Sequence, residues 1–272
     1  MLPRARLKQI LSYQEKKGRK KGNCFLVEGT RLVEEALRSD WRVQELYFSS
    51  EFSESQTGKN LLSLACQRKV ETVQIQAQAL RKMAETETPQ GAIAVVEKKE
   101  LGLNNFLRQN PDFIVVLESV RDPGNLGTII RTADALGVKA VLISKDSVEL
   151  YNPKTVRSTM GSIFHLPIFY PVDILDTLRV LKRDFRMLAA VAGGGVSAHK
   201  IDYSNPVCLL LGGEAFGLSE EIVKLADLKV SIPSFGQAES LNLSVAAGIL
   251  MYEIAKSKNL RTKSEVLRNK QE

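Results

Sequence analysis

The run Phe113-Ile-Val-Val-Leu-Glu-Ser-Val-Arg-Asp-Pro-Gly-Asn-Leu-Gly-Thr-Ile-Ile-Arg-Thr-Ala-Asp-Ala-Leu-Gly137 changes character midway. Its first five residues are an unbroken apolar stretch, suited to a strand buried on both faces. Asp122-Pro-Gly-Asn125 then supplies the residues of a tight turn, and the residues beyond it have helical spacing, with Arg131 in the first turns. In this reading Asn125 caps the helix. A strand that ends in a polar turn and feeds a helix presents polar groups at the carboxyl end of a sheet, where open α/β sheets bind ligands. Asn125 and Arg131 are the side chains this turn puts forward.

Outward from that run the same alternation continues. Strand-like segments recur at Ala140 to Ile143, Pro167 to Tyr170, Met187 to Val191, Val207 to Leu211 and Leu228 to Ile232, with helical patterns between most of them and a last helix from near Leu241 to Lys256. This predicts an α/β domain, a mostly parallel sheet with helices on both faces. Before the run lies a smaller α/β layer structure. Its strands are predicted at Cys24 to Val27, Val43 to Phe48, Val70 to Ile75 and Ala92 to Val96, and its helices at 31–37 (capped by Thr30), 59–67 and 78–84. The stretch 97–111 is polar and breaks the pattern. The expected division is a domain over 1–98, a linker over 99–111, a second domain over 112–258 and a basic tail over 259–272.

Composition narrows the function classes. Hydrophobic residues make up 44% and charged residues 25% of the 272, as in ordinary globular proteins. No apolar run reaches the roughly 18 residues that span a bilayer, and Met1 to Lys8 has no secretory core, so a cytoplasmic protein is expected. Cys24, Cys66 and Cys208 are far apart, without a C-x-x-C pair, and read as buried reduced thiols. His165, in a strand-like run, and His199 are the only histidines, too few for a metal centre. The net charge of +7 is localised: residues 1–21 hold eight Lys and Arg against one Glu, and the rest of the chain balances. Lys16, Lys17, Arg19, Lys20 and Lys21 form the dense end of this arm and suit phosphate contact.

Two more loops carry chemistry. In Leu209-Leu-Leu-Gly-Gly-Glu-Ala-Phe-Gly-Leu-Ser219 a buried strand ends in Gly212 and Gly213, which let backbone approach closely, and Glu214 follows at the strand's carboxyl end. Ser219 is expected to cap the next helix. In Ile232-Pro-Ser-Phe-Gly-Gln-Ala-Glu-Ser-Leu-Asn-Leu-Ser-Val-Ala-Ala-Gly248, Ser240 precedes the last helix, and Asn242 and Ser244 interleave with Leu241, Leu243 and Val245, as in a polar site beside a core. Nucleotide fingerprints of the G-x-G-x-x-G and G-x-x-x-x-G-K-[ST] types are absent. Gly193-Gly-Gly195 lacks the lysine and helix of a phosphate loop and reads as a turn.

Together the three loops resemble the SpoU-type (TrmH-like) branch of the SPOUT superfamily, S-adenosylmethionine-dependent methyltransferases of the RNA ribose 2′-hydroxyl. The first is similar to that family's asparagine-bearing motif with its downstream arginine. The second resembles Gly-x-Glu-x-x-Gly-Leu in Gly212, Glu214, Gly217 and Leu218, and the third Ile-Pro…Ser-Leu-Asn-x-Ser-x-Ala. Lys21 to Leu37 resembles an L30e-like N-terminal RNA substrate-binding domain, whose first helix the basic stretch also fits. Thr128, where alanine is frequent, and Gly213, where asparagine or serine is common, are departures.

The resemblance implies a deep trefoil knot, a homodimer, S-adenosylmethionine as cofactor and RNA, ribosomal before transfer RNA, as partner, with no membrane and no metal. It implies Arg131, Asn125, Glu214 and Asn242 as catalytic residues, and Gly212, Ile232, Leu241, Ser240 and Gly217 at the cofactor. Lys16, Lys17, Arg19, Lys20, Lys21 and Arg157 are the expected RNA contacts. The implied reaction is an in-line displacement in which the ribose 2′-oxygen takes the methyl group, with a neutral thioether as leaving group. A guanidinium normally keeps its proton, so Arg131 is read as orienting the hydroxyl and stabilising developing oxyanion charge. Competing readings are a non-catalytic RNA-binding protein and a dinucleotide-dependent oxidoreductase. The intact polar set argues against the first and the missing glycine fingerprint against the second.

Overall fold

Near the N-terminus, the basic stretch folds into two helices, α1 (Arg4–Ser12) and α2 (Lys16–Gly22). The computed structural model describes residues 2–258, so the predicted 259–272 tail lies outside the described residues. After the two helices come β1 (Cys24–Glu28), α3 (Thr30–Arg38), β2 (Val43–Phe48), α4 (Ser50–Glu54), α5 (Gln56–Gln67), β3 (Glu71–Gln74), α6 (Ala77–Met83) and β4 (Ala92–Glu97). The strands form one sheet in the order β1-β4-β2-β3, antiparallel except for the β2–β3 pair. Ile10 and Tyr13 join Cys24, Leu26, Tyr47, Leu80, Met83, Ile93 and Val95 in its core, so the basic stretch is anchored by apolar burial. Residues 1–100, 126–131 and 148–165 cluster as one compact unit.

Here α3 begins at Thr30, not after it. Gly29 occupies the cap position with φ 97°, and the Thr30 backbone N–H and hydroxyl both donate to Gln90 Oε1, at 3.0 and 3.2 Å. The expected Thr30 cap is thus replaced by a bond from the helix start to the loop before β4. Cys66 is exposed, contrary to expectation, because it falls on the outer face of α5 while Leu61 and Ala65 turn inward. The segment around His165 is a short 3-10 turn, Ser162–Phe164, not a strand, and His165 Nε2 lies 3.1 Å from Glu35 Oε2.

The second unit comprises residues 101–125, 132–147 and 166 onward. Its elements are α7 (Leu103–Leu107), β5 (Phe113–Glu118), α8 (Pro123–Ala135, of which 126–131 are grouped with the first unit), β6 (Ala140–Ser144), α9 (Pro153–Ser158, grouped with the first unit), β7 (Ile168–Val172), α10 (Ile174–Leu181), β8 (Arg186–Ala190), β9 (Val196–Ser197), β10 (Val207–Gly212), α11 (Glu220–Leu225), β11 (Leu228–Ser231) and α12 (Leu243–Ser257). Seven strands pair in parallel in the order β7-β6-β5-β10-β8-β11-β9. Every residue of β6 and β10 is buried, which is why both read as continuous apolar runs.

Within the polar 97–111 stretch, α7 turns Leu103, Phe106 and Leu107 onto a core that includes Ile114, Leu142, Phe169, Leu178, Met187 and Leu210. The register pairs Leu211 with Leu117 and Gly212 with Glu118, so β5 and β10 end side by side. Their carboxyl ends carry the first two motif loops.

Candidate active site

Glu214 gathers the first loop around itself. Its Oε2 accepts the Arg121 backbone N–H at 3.0 Å, and its Oε1 accepts the Asp122 N–H at 3.3 Å and the Asn125 side-chain amide at 2.8 Å. Asn125 Oδ1 in turn accepts the Asn242 side-chain amide at 3.1 Å. Asn242 Oδ1 accepts Ser244 N–H at 2.9 Å, the Ser244 hydroxyl at 2.7 Å and Val245 N–H at 3.4 Å. Hydrogen bonds therefore run in one direction, from the start of α12 through two amides to one carboxylate, and join all three loops. Partial burial works against the charge on Glu214, but the donations from Asn125, Arg121 and Asp122 outweigh it and hold the carboxyl below the usual range.

Local chemistry explains each placement. The N-cap of α8 is Asp122, whose side chain accepts Asn125 N–H at 2.8 Å, with Pro123 at the first helical position. Asn125 is therefore not the cap. The cap is three residues earlier, which frees the Asn125 amide for Glu214 and Asn242. Asn242, by contrast, caps α12 with its carbonyl while its amide reaches Asn125. Ser219 stands at the cap position of α11 without a side-chain cap bond, and its backbone N–H donates instead to Glu118 Oε2 at 2.8 Å.

The second loop closes on itself through Gly217 N–H and Gly213 O at 3.0 Å. A Cβ on Gly212 would sit 1.9 Å from the Gly217 carbonyl carbon, and one on Gly213 would sit 2.1 Å from Ser119 O. Both glycines are required by backbone crowding, so the departure at Gly213 is one of fit.

Several supporting residues escaped the sequence reading. Ser119 adopts φ 55°, its N–H donates to Ser144 Oγ at 2.9 Å, and its hydroxyl bonds Asp146. Val120 N–H donates to Ser147 Oγ at 3.1 Å, and the Ser144 and Ser147 hydroxyls are 2.8 Å apart. Partial burial opposes the charge on Asp146, but the bonds from Ser119 and Ser144 prevail and hold its carboxyl below its usual range. The available signal was two serines and an aspartate directly after a strand end, at 144–147.

The structure brings Asn125, Glu214 and Asn242 together. Arg131 stands exposed on the same helix as Asn125, six residues on and outside this hydrogen-bonded set. Ser240 and Leu241 are exposed, Ile232 is half-buried, and Gly217 has φ 66° with open space where a side chain would be. Open space over Gly217 and apolar surface from Ile232 and Leu241 fit a ligand with a flat ring and polar substituents, as S-adenosylmethionine has.

The basic helix divides in two. Lys16, Lys17, Lys20 and Lys21 are exposed and, at about 100° per residue, share an arc of roughly 140°. Arg19 falls outside that arc and is only 3% exposed. Its guanidinium holds Glu149 at 2.5 Å and donates to the carbonyls of Tyr13 at 2.9 Å and Gln14 at 2.6 Å. The expected RNA contact at Arg19 is corrected: its donors are already used inside the fold. Arg157, on α9, is half-buried and lines a small cleft with Glu28 and Glu85. A larger cleft of about 320 Å³, which includes Trp41, Arg42, Arg68 and Lys69, contains none of the expected site residues.

Known proteins resemble this chain over most of its length. Residues 112–252 match the SpoU rRNA Methylase family, and residues 4–94 match the MRM3-like substrate binding domain. A curated relative from Bacillus subtilis, 23S rRNA (guanosine(2553)-2'-O)-methyltransferase RlmP, is 35% identical over 88% of this chain and 91% of its own. The crystal structure of the SpoU methyltransferase AviRb from Streptomyces viridochromogenes, in complex with AdoMet, superimposes with a TM-score of 0.82 at 31% identity, covering 94% of this chain and 98% of that one. An AdoMet-bound rRNA methyltransferase from Sinorhizobium meliloti gives a TM-score of 0.83 at 31% identity, covering 96% and 97%. By fold and loops the chain is a SPOUT-type methyltransferase. It belongs to the SpoU rRNA methylase family.

Proposed function

We propose that this protein transfers a methyl group from S-adenosylmethionine to the 2′-hydroxyl of a ribose in structured RNA, ribosomal RNA before transfer RNA. The observation that carries the reading is the continuous hydrogen-bond set Asn242 to Asn125 to Glu214, which ties together three loops that follow the carboxyl ends of parallel strands. When bound, S-adenosylmethionine supplies an electrophilic methyl group. Gly212, Gly217, Ile232, Ser240 and Leu241 hold it. Asn125 and Asn242, fixed by Glu214, present oriented amides to the ribose. Arg131 orients the 2′-hydroxyl and stabilises the charge that develops on its oxygen, a contribution on the order of 10²–10³ in rate for one such donor. Positioning of the hydroxyl supplies much of the remainder.

In this reading residues 1–98 bind RNA, 99–111 link, 112–258 transfer methyl and 259–272 form a basic tail. Lys16, Lys17, Lys20, Lys21 and Arg157 contact phosphates. The protein works in the cytoplasm as a homodimer whose C-terminal domain carries a trefoil knot. The stripe of exposed Val245, Ile249 and Tyr252 on α12, with Leu241 just before it, supports the dimer, because lone subunits seldom expose such a face. Mapping 2′-O-methyl positions in ribosomal and transfer RNA from cells with and without the protein tests the activity. Loss of one ribosomal RNA site is expected, and identical maps would overturn it. Arg131→Ala should keep cofactor affinity and lose transfer. Wild-type transfer by that variant would remove Arg131 from the mechanism.

A further inference from the structure

Ten phenylalanines occur in the chain. Seven of them are buried and Phe106 is half-buried, whereas Phe216 is 97% and Phe235 99% exposed. Full exposure of a ring forfeits the stabilisation that its burial would bring, so two of them in one chain call for a reason. Their location supplies it. Phe216 lies two residues after Glu214, in the loop closed by the Gly213–Gly217 bridge. Phe235 lies in the loop between β11 and Asn242. Each ring sits on a loop that carries one member of the Asn125–Glu214–Asn242 set. Neither belongs to the apolar stripe of α12.

Ribose geometry limits what such rings can meet. The base of a nucleotide is joined to the sugar carbon next to the one that bears the 2′-hydroxyl, so a hydroxyl held at the set brings its own base to the same loops. Unstacked RNA bases are recognised by stacking on aromatic side chains, which tolerate any base because every base has a π-face. A base within a helical stack cannot offer its faces, so stacking on these rings requires the nucleotide to leave its stack, as target bases do in enzymes that act on the base itself. We propose that Phe216 and Phe235 form a stacking platform for the base of the target nucleotide, or of its immediate neighbour, and hold it unstacked while the ribose enters the site. This rests on the Asn125–Glu214–Asn242 set being the methyl-transfer site.

The test uses the full-length protein, an unmodified 23S ribosomal RNA transcript and radiolabelled S-adenosylmethionine. Phe216→Ala and Phe235→Ala should each raise KM for the transcript roughly 5- to 30-fold, the lower part of the range for losing one base–aromatic stack. Tryptophan at either position should preserve KM, and leucine should not. Cofactor Kd by calorimetry, melting temperature and sedimentation coefficient should stay at wild-type values. Four results would each overturn the platform: unchanged KM in both alanine variants, weakened cofactor binding with unchanged KM, dissociation to a smaller species, or full rescue by leucine. These point respectively to no role, to the cofactor's adenine, to a second copy of the chain, and to apolar contact without stacking. Asn125→Ala is run alongside. If it transfers methyl at the wild-type rate, the site itself is misplaced and the platform falls with it. If it is dead while the Phe variants keep their KM, the platform alone falls.

Discussion

Two carboxylates, Glu149 in the first unit and Glu214 in the second, satisfy their oxygens in opposite ways. Glu149 is buried and meets charge: Arg19 binds it through two nitrogens, and Lys98 stands 3.8 Å away. Glu214 is exposed and, among the described residues, is held by neutral donors that include the Arg121 and Asp122 N–H groups and the Asn125 amide. A buried ion pair recovers its desolvation only while both partners remain. A carboxylate held by neutral donors near solvent is cheaper to remove, and it orients the groups that bind it. One arrangement fastens a helix to a fold, and the other sets the direction of two amides. In the proposed function the first acid serves stability and the second serves the chemistry.

Breaking the buried pair should give the largest effect. Glu149→Ala leaves the Arg19 guanidinium buried without its partner, and we expect a loss of about 3–5 kcal/mol in denaturant unfolding. The paired change Arg19→Met with Glu149→Leu should recover most of that loss, since apolar replacement of both partners is often close to neutral. A single variant within about 0.5 kcal/mol of wild type would mean the pair is not the anchor its burial implies.

Glu214→Gln is the matching change in the second unit. A glutamine keeps one acceptor and turns a donor toward the N–H groups of the first loop, so the Asn125 amide loses its fixed direction. We expect kcat to fall on the order of 10²-fold, with unfolding stability within about 1 kcal/mol of wild type. Asn125→Ala and the double variant should cost no more than Glu214→Gln alone, because the residues act as one unit. Additive losses would separate them.

The Glu214 side of this contrast was legible in the sequence, and the part that was not has a physical cause. The three loops announced themselves because glycine, proline and polar residues at strand ends have few other uses, and Glu214 was placed from its position after Leu209-Leu-Leu-Gly-Gly213 alone. The helix cap was misassigned to Asn125 because Asp122 and Asn125 have equal capping chemistry, and only the turn geometry decides between them. Arg19 looked like one more cation in a basic run, although helical spacing alone would have set it apart from the four lysines. What sequence could not supply was its partner, 130 residues away. The short helix α4 and the two-residue strand β9 are too brief to leave a periodic signal.

Chelation separates chemistry from fold in a third way. The methyl group leaves a neutral thioether, so transfer should proceed unchanged in a chelator such as EDTA at millimolar excess. A loss reversed by added divalent ion would require a metal in the substrate complex.

The smallest expected effect is that of mild acid, and its sign comes from the Glu214 hydrogen bonds. Partial burial pushes this carboxyl up, but the donations from Asn125, Arg121 and Asp122 pull it further down, to below its ordinary value. A carboxyl depressed in the folded state contributes its stabilisation fully above the unfolded value and loses it only as pH falls through the folded one. The unfolded value of a glutamate is about 4.3. The amide set should therefore stay intact from neutrality down to about pH 5, and the kcat profile of the wild type should show no inflection from Glu214 in that window. Glu214→Gln should lower kcat by the same factor at every pH there. A wild-type advantage that shrinks as pH falls from about 7 to about 5 would mean that Glu214 takes up a proton during turnover. It would then be an acid–base group, and the contrast with Glu149 would be one of proton transfer against charge pairing, not orientation against charge pairing.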